Sequence, residues 1–397
     1  MIAEPSAARL PPVRLRDQDI VCIGSADWQT ELPINQHHLM GRFARRNQVL
    51  FVESLGLRRP QIAGRDLKRI WRRLRTGLRG VRQIDGVAVL SPLVVPFHGH
   101  QALRNLNRRL LRLQVKRAAR KLGMKAPILW GYVPQAEALI EPLAPSLVVY
   151  HCVDDVAAQK GVDAVGYREA ERRFAARADL VLASAPALAE RMRTLSDHVL
   201  YAPNVADTDL FATALGAIAP DPALEALPRP RLVFQGAIVA TKLDLGLLAE
   251  IAARRPGWSI VLVGPHGAGD PSTDLGALEA APNIHLLGAR RQEELPAVLA
   301  AADIGLIPYA INDLTRSVFP MKVYEYLAAG LPVVSTPLPA LDGVADVDVV
   351  ADADAAVAAI EAELARDDQK VREARSRRAA GHSWESRIAE IEAALPE

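Results

Sequence analysis

Three residues at the end of one apolar run have the types needed for proton transfer. His151, Asp154 and Asp155 close the run Leu147–His151 in the stretch YHCVDD at 150–155. A carboxylate or an imidazole at the mouth of a buried strand can take a proton from an attacking hydroxyl. One acid of the pair can instead cap a helix beginning near Val156, and on sequence alone either Asp can hold either role. A second candidate is Glu325, placed mid-helix among Tyr324, Tyr326 and Leu327. Its helix ends at Gly330 and a strand begins at Pro332, the order expected of a glycine stop followed by proline. A carboxylate in such apolar company is poorly placed as a solvent residue. His37 and His38 form an adjacent pair shortly after the first strand and its Gly24.

Those residues must be held by something, and the apolar runs indicate what. Strands are expected at Ile20–Gly24, Val49–Glu53, Val87–Leu90, Ile128–Tyr132, Leu147–His151, Leu180–Ala183 and Val199–Tyr201. A second series follows at Leu232–Gln235, Ser259–Val263, Ile284–Leu287, Ile304–Pro308, Pro332–Thr336 and Val347–Val350. Short apolar runs separated by helical patterns read as parallel sheets covered on both faces. Pro220, Pro222, Pro228 and Pro230 punctuate the stretch between the two series. The expected organisation is a lead-in at 1–19, a first domain at 20–205, a linker at 206–230, a second domain at 231–380 and a C-terminal helix at 381–397 that returns to the first domain. The fold class is α/β, two Rossmann-like domains facing a cleft, with ligands beyond the C-terminal ends of the strands.

Composition narrows the classes. Half of the 397 residues are hydrophobic and 24% are charged, as in globular domains with real cores. No apolar run reaches the roughly 18–20 residues of a membrane span; the longest, Ile128 to Tyr150, is broken by Glu137 and Glu141. Cys22 and Cys152 lie in apolar runs and read as buried thiols, which points to a reducing, cytoplasmic setting. No His/Cys/Asp cluster has metal-ligand spacing, so no metal cofactor is expected.

Net charge is +2, yet residues 58–125 hold 19 Lys/Arg against Asp66 and Asp85. Such a block suits an anionic membrane surface. Nucleic acid is not the expected partner, because no recognition motif accompanies the arginines. The helix Leu103–Lys121 is expected to bury Leu103, Leu106, Leu110 and Leu113 and to expose Arg104, Arg108 and Arg112.

Several further segments carry a family resemblance in order along the chain. They are APNVADTDLF at 202–211, FQGAIVATKLD at 234–244, IVLVGP at 260–265, NIHLLGARRQEELPAVLAAADIGLIPY at 283–309, PMKVYEYLAAGLPVVST at 320–336 and HSWESR at 382–387. With YHCVDD they resemble the nucleotide-sugar glycosyltransferases of the two-Rossmann-domain (GT-B) type, nearest to the family 4, or group 1, enzymes of polysaccharide and lipid-linked sugar synthesis.

The resemblance implies a nucleoside diphosphate sugar in the second domain, UDP ahead of GDP, and a hydroxyl acceptor, lipid-linked or polysaccharide, in the first. It assigns Glu325 to the ribose hydroxyls, and Lys242, Lys322 and Arg316 to the diphosphate. Gly236 falls where backbone meets the donor, and Arg290 where the base edge lies, with Arg291 as an alternative. Gly24, His37 and His38 fall in the loop and helix start that approach the phosphates. Ser317 stands where many retaining members carry a first glutamate, which leaves the transferred sugar and the stereochemical course open. A nucleotide-sugar epimerase is the alternative enzyme, and a basic nucleic-acid-binding protein or membrane scaffold the alternative of another class.

Overall fold

Runs dominated by Val, Ile and Leu can be covered on both faces, which is the condition a parallel strand must meet. The computed structural model describes residues 15–30, 32–54, 77, 79–94, 101–159, 161–216, 218–267, 270 and 272–396. Among them the first series of runs forms β1 (Asp19–Ile23), β2 (Gln48–Val52), β3 (Val81–Ile84), β4 (Val87–Leu90), β5 (Ile128–Gly131), β6 (Leu147–Cys152), β7 (Leu180–Ala183) and β8 (Val199–Tyr201). They lie in one sheet in the order β3-β4-β2-β1-β5-β6-β7-β8. Every neighbouring pair is parallel except the hairpin β3–β4.

The second series forms β9 (Arg231–Gln235), β10 (Ser259–Val263), β11 (Ile284–Gly288), β12 (Ile304–Ile307), β13 (Val333–Ser335) and β14 (Val347–Val349). This sheet is wholly parallel, in the order β11-β10-β9-β12-β13-β14. In each sheet the winding reverses beside its first strand, between β1 and β5 and between β9 and β12. Loops diverge there and leave a crevice at the strands' C-terminal ends.

Six helices frame the crevice or pack beside it: α1 (Asn35–Phe43), α2 (Gln101–Lys121), α3 (Ala164–Ala175), α4 (Leu245–Arg254), α5 (Lys322–Ala328) and α6 (Trp384–Ala394). Local chemistry sets several starts. The Asp163, Asp244 and Ser383 side chains accept the backbone N–H of Gly166, Leu247 and Ser386, satisfying donors that a helix start leaves open. α6 returns to the first domain, where Trp384, Ile391 and Leu395 join a core with Ile20, Cys22, Leu39 and Trp130. Arg42 of α1 fastens that junction by pairing with Glu385 of α6 at 2.9 Å and Asp207 of the crossover at 2.8 Å.

The structure corrects the expected phase of α2. Its buried stripe is Asn107, Leu111, Val115, Ala118 and Ala119, whereas Leu106 and Leu113 face solvent. Arg108 and Arg112 instead meet Glu137 and Glu141. Within the basic stretch 58–125, residues 58–76, 78 and 95–100 lie outside the described residues, as does most of the lead-in placed at 1–19. No helix among the described residues is long and apolar enough to cross a membrane.

Candidate functional site

The two reversal points face each other across a recess of about 250 Å³. Ser25 beyond β1, Tyr132 beyond β5 and Asp154 beyond β6 line it from the first domain. Gln235 and Gly236 at the end of β9, Lys242, Arg290, Tyr309 beyond β12, and Lys322 and Glu325 of α5 line it from the second.

Glu325 is held by Gln235, whose amide Nε2 donates to its Oε2 at 2.5 Å. Burial raises its carboxyl above the ordinary value, against the pull of Lys322 and of that hydrogen bond. The neighbouring Tyr326 is fully buried and its hydroxyl accepts the Gln235 backbone N–H at 2.9 Å, so α5 is pinned to the end of β9 from two sides. Lys322 donates to Tyr309 Oη at 2.8 Å and lies over the rings of Phe234 and Tyr309. Burial pushes the Tyr309 phenol up, but Lys322 and Lys242 together outweigh it and leave the group below its usual value. Gly236 has φ 137°, a region that L side chains rarely adopt, and an added Cβ would meet the Lys322 side chain at 3.5 Å. Its backbone also runs against Gly264, whose Cβ would overlap Gly236 O.

The three residues of YHCVDD go to three different places. Asp154 lines the recess, and its carboxyl is raised by burial, pulled down by Lys242 across the cleft and pushed up by Asp155. Asp155 is gripped by Arg168 of α3 through contacts of 2.7 and 2.6 Å. Arg168 also meets the buried Glu171, which accepts the Tyr150 hydroxyl at 2.7 Å and pairs with Arg191. Asp155 is therefore part of an ion network and does not line the recess.

His151 does not line the recess either. Its ring stacks on Tyr132 at 4.8 Å and meets Trp130 edge-on at 6.0 Å, with both ring nitrogens buried and unpartnered. Burial, with Arg387 adding to it, lowers its pKa to about 3, so it stays neutral and outside the cleft. Two buried unpaired nitrogens contribute nothing that an apolar side chain would not. His151→Leu is thus expected to keep stability within about 1 kcal/mol and to keep turnover, measured by urea unfolding and donor consumption.

The remaining expected residues separate in the same way. His38 lines the recess, stacks on Trp384 at 5.2 Å, and is held neutral as burial lowers its pKa to about 4. His37 is a bracket for the loop before α1: its Nδ1 accepts the Ile34 N–H at 3.0 Å and its Nε2 meets Asp27 O at 2.9 Å. Gly24 does not line the recess; a Cβ there would strike the Phe51 ring at 2.3 Å, so packing explains the glycine. Arg290 lines the recess, with Asp221 at 3.4 Å and Leu287 O at 2.8 Å, whereas the exposed Arg291 pairs with Glu294. Arg316 is exposed and Ser317 buried, and neither lines the recess.

Sequence reading missed Tyr132 and Asn35, which belong to a polar chain between the domains. Tyr132 Oη donates to Asn35 Oδ1 at 2.9 Å, Asn35 Nδ2 to Asn204 Oδ1 at 2.8 Å, and Asn204 Nδ2 to Phe319 O at 2.8 Å. It also missed Gln36 and Gln235, which line the recess with Gln36 Nε2 and Gln235 Oε1 buried and unpartnered. Among the described residues, no group of three His, Cys, Asp or Glu is placed to hold a metal.

Residues 229–366 match the family model described as Glycosyl transferases group 1. A stretch of 102 residues is 38% identical to the putative teichuronic acid biosynthesis glycosyltransferase TuaH of Bacillus subtilis (strain 168). That stretch is 25% of each chain, so the match spans about a quarter of the curated relative's length. Among solved structures, sucrose-phosphate synthase from Thermosynechococcus elongatus is similar with a TM-score of 0.68 and 15% identity, over 94% of this chain and 97% of that one. Anabaena HepE in complex with UDP and glucose is similar with a TM-score of 0.66 and 16% identity, over 95% and 99%. A glycosyltransferase from Rickettsia africae ESF-5 has a TM-score of 0.63 and 11% identity, over 94% and 97%. At these identities the structures establish the fold, which is the GT-B arrangement expected from the sequence.

Proposed function

We propose that this chain, a GT-B protein related through its second domain to the group 1 glycosyl transferases, moves a sugar from a nucleoside diphosphate donor to a hydroxyl acceptor. One juxtaposition carries this reading. Asp154 of the first domain faces the cleft within the electrostatic reach of Lys242 of the second, with Lys322, Arg290 and Glu325 on the same wall. An acid facing a cluster of cations suits attack by a hydroxyl on a sugar whose diphosphate departs.

In this reading Glu325 accepts hydrogen bonds from the two ribose hydroxyls, a task that suits an anionic acceptor with two oxygens. Lys242 and Lys322 stabilise the diphosphate as charge builds on it, and α5 presents its first turn to the same region. Arg290 meets the nucleotide base, and Gly236 lets backbone approach the donor. Asp154 takes the proton of the acceptor hydroxyl. The acceptor oxygen forms a bond to the anomeric carbon, the bond from that carbon to the phosphate oxygen breaks, and its electron pair leaves with the nucleotide. UDP is the nucleotide of choice, in keeping with the fold neighbour HepE, whose complexes hold UDP and UDP-glucose. The acceptor is lipid-linked and met on the cytoplasmic face of an anionic membrane through the basic stretch 58–125.

The test is a thermal-shift screen of UDP, GDP and their sugars. Ligand that binds only the folded chain stabilises it by about 2.7 kcal/mol at ~100 times its Kd. UDP compounds are expected to raise the melting temperature by several degrees. No shift with any nucleoside diphosphate or its sugar would overturn the reading.

A further inference from the structure

The face of α2 opposite its buried stripe has an unusual make-up. Leu106 and Leu113 lie seven residues apart, two turns along one line of the helix and about 10 Å from each other. Leu106 is 42% and Leu113 68% exposed. Arg109, Arg117, Arg120 and Lys121 are exposed around them, with Lys116 half-buried at the edge. The 21 residues of α2 include no Asp or Glu. Among the described residues these five cations form no ion pair, although Arg108 and Arg112 on the inward flank meet Glu137 and Glu141. The face therefore has exposed leucines ringed by uncompensated positive charge.

We propose that this face of α2 docks on an anionic lipid bilayer, with Leu106 and Leu113 entering the interface and the five cations meeting headgroup phosphates. A helix lying in the plane of a bilayer needs apolar side chains on one face and flanking cations whose stems reach back to the headgroups. The charge decides against other occupants. A second copy of this chain would set like charges against each other, and a nucleic acid would leave the leucines without a partner. The inference deepens the membrane clause of the proposed function and is independent of the transfer chemistry.

The experiment is co-sedimentation of the full chain with phosphatidylcholine vesicles and with vesicles mixing phosphatidylcholine and phosphatidylglycerol. Binding is expected on the mixed vesicles and about tenfold weaker on the neutral ones. The double variant Leu106→Ser, Leu113→Ser is expected to lose about tenfold on the mixed vesicles, and Arg117→Gln, Arg120→Gln to flatten the salt dependence. Both sets are exposed side chains, so melting temperatures should hold; Leu113→Ser alone, at the most exposed position, serves if the double variant does not fold. Equal partition onto the two vesicle types would overturn the proposal. So would binding undiminished by the serine variants, a dimer that those variants dissolve, or salt-sensitive binding to duplex oligonucleotide without vesicle binding. The UDP-induced melting shift, read on the same samples, separates failure of this surface from failure of the transferase reading.

Discussion

Asp154→Asn is expected to lower kcat by about 10²–10⁴-fold, the usual contribution of a positioned general base. The KM for the donor should move little, because Asp154 lines the recess from the first domain and the proposed donor contacts line it from the second. Asp155→Asn should instead act through stability, since it breaks the contact with Arg168. Steady-state kinetics with both variants separate the two. A D154N enzyme that keeps full turnover would end the general-base reading. The pH profile gives a second handle. Asp154 acts as a base only when ionised, and its pKa is raised by burial. Activity should therefore fall on the acid side through a pKa above the ordinary carboxylate value. Lys242 pulls that pKa down, so Lys242→Met should move the acid limb to higher pH as well as slow departure of the diphosphate.

This division of labour between two adjacent acids marks what the chain's sequence discloses and what it does not. The central parallel strands were legible because they are covered on both faces, which forces apolar runs such as Ile128–Gly131 and Ser259–Val263. Glu325 stood out as the one acid of a helix that is apolar beyond Lys322. Asp154 and Asp155 could not be told apart, because the residue that claims Asp155 is Arg168, thirteen positions on and a full helix start away. Neutralisation by a distant partner leaves no local trace.

Two other departures have physical causes as well. The edge strand Val81–Ile84 has no fully buried residue, so its pattern never becomes apolar, although the Asp85–Gly86 turn with its positive φ at both positions is a hairpin signal. The helix Gln369–Ala379 buries Arg375, Ser376 and Ala379, and it is docked by ion pairs of Arg375 with Glu363 and Asp367. A helix held by charge has no apolar stripe to find. In α2 the leucines at 103, 106, 110 and 113 imitate a core stripe, while the true one begins with Asn107. Periodicity gives the period of a face and not its direction.

Glu325→Gln should separate affinity from stability. Its carboxyl is raised in the folded chain above the ordinary value, with burial the largest cause. A carboxyl whose folded pKa exceeds its unfolded pKa costs stability as pH rises from the unfolded value through the folded one. At neutral pH the ionised Glu325 is thus a liability to the empty protein, and the neutral glutamine should raise its melting temperature. The nucleotide reverses the sign. Two hydroxyl donors on an anion are charge-assisted, and hydrogen bonds to charged groups contribute about 1.5–3 kcal/mol. Losing that charge should weaken UDP binding by roughly tenfold to a hundredfold. Calorimetry should show affinity of the unsubstituted chain falling as pH drops through the raised Glu325 pKa, with that dependence lost in E325Q. A variant that melts higher and binds UDP as before would show that Glu325 serves the packing of α5 and not the ribose. A variant that melts higher and binds poorly would identify the charge as one kept, against stability, for the ligand it awaits.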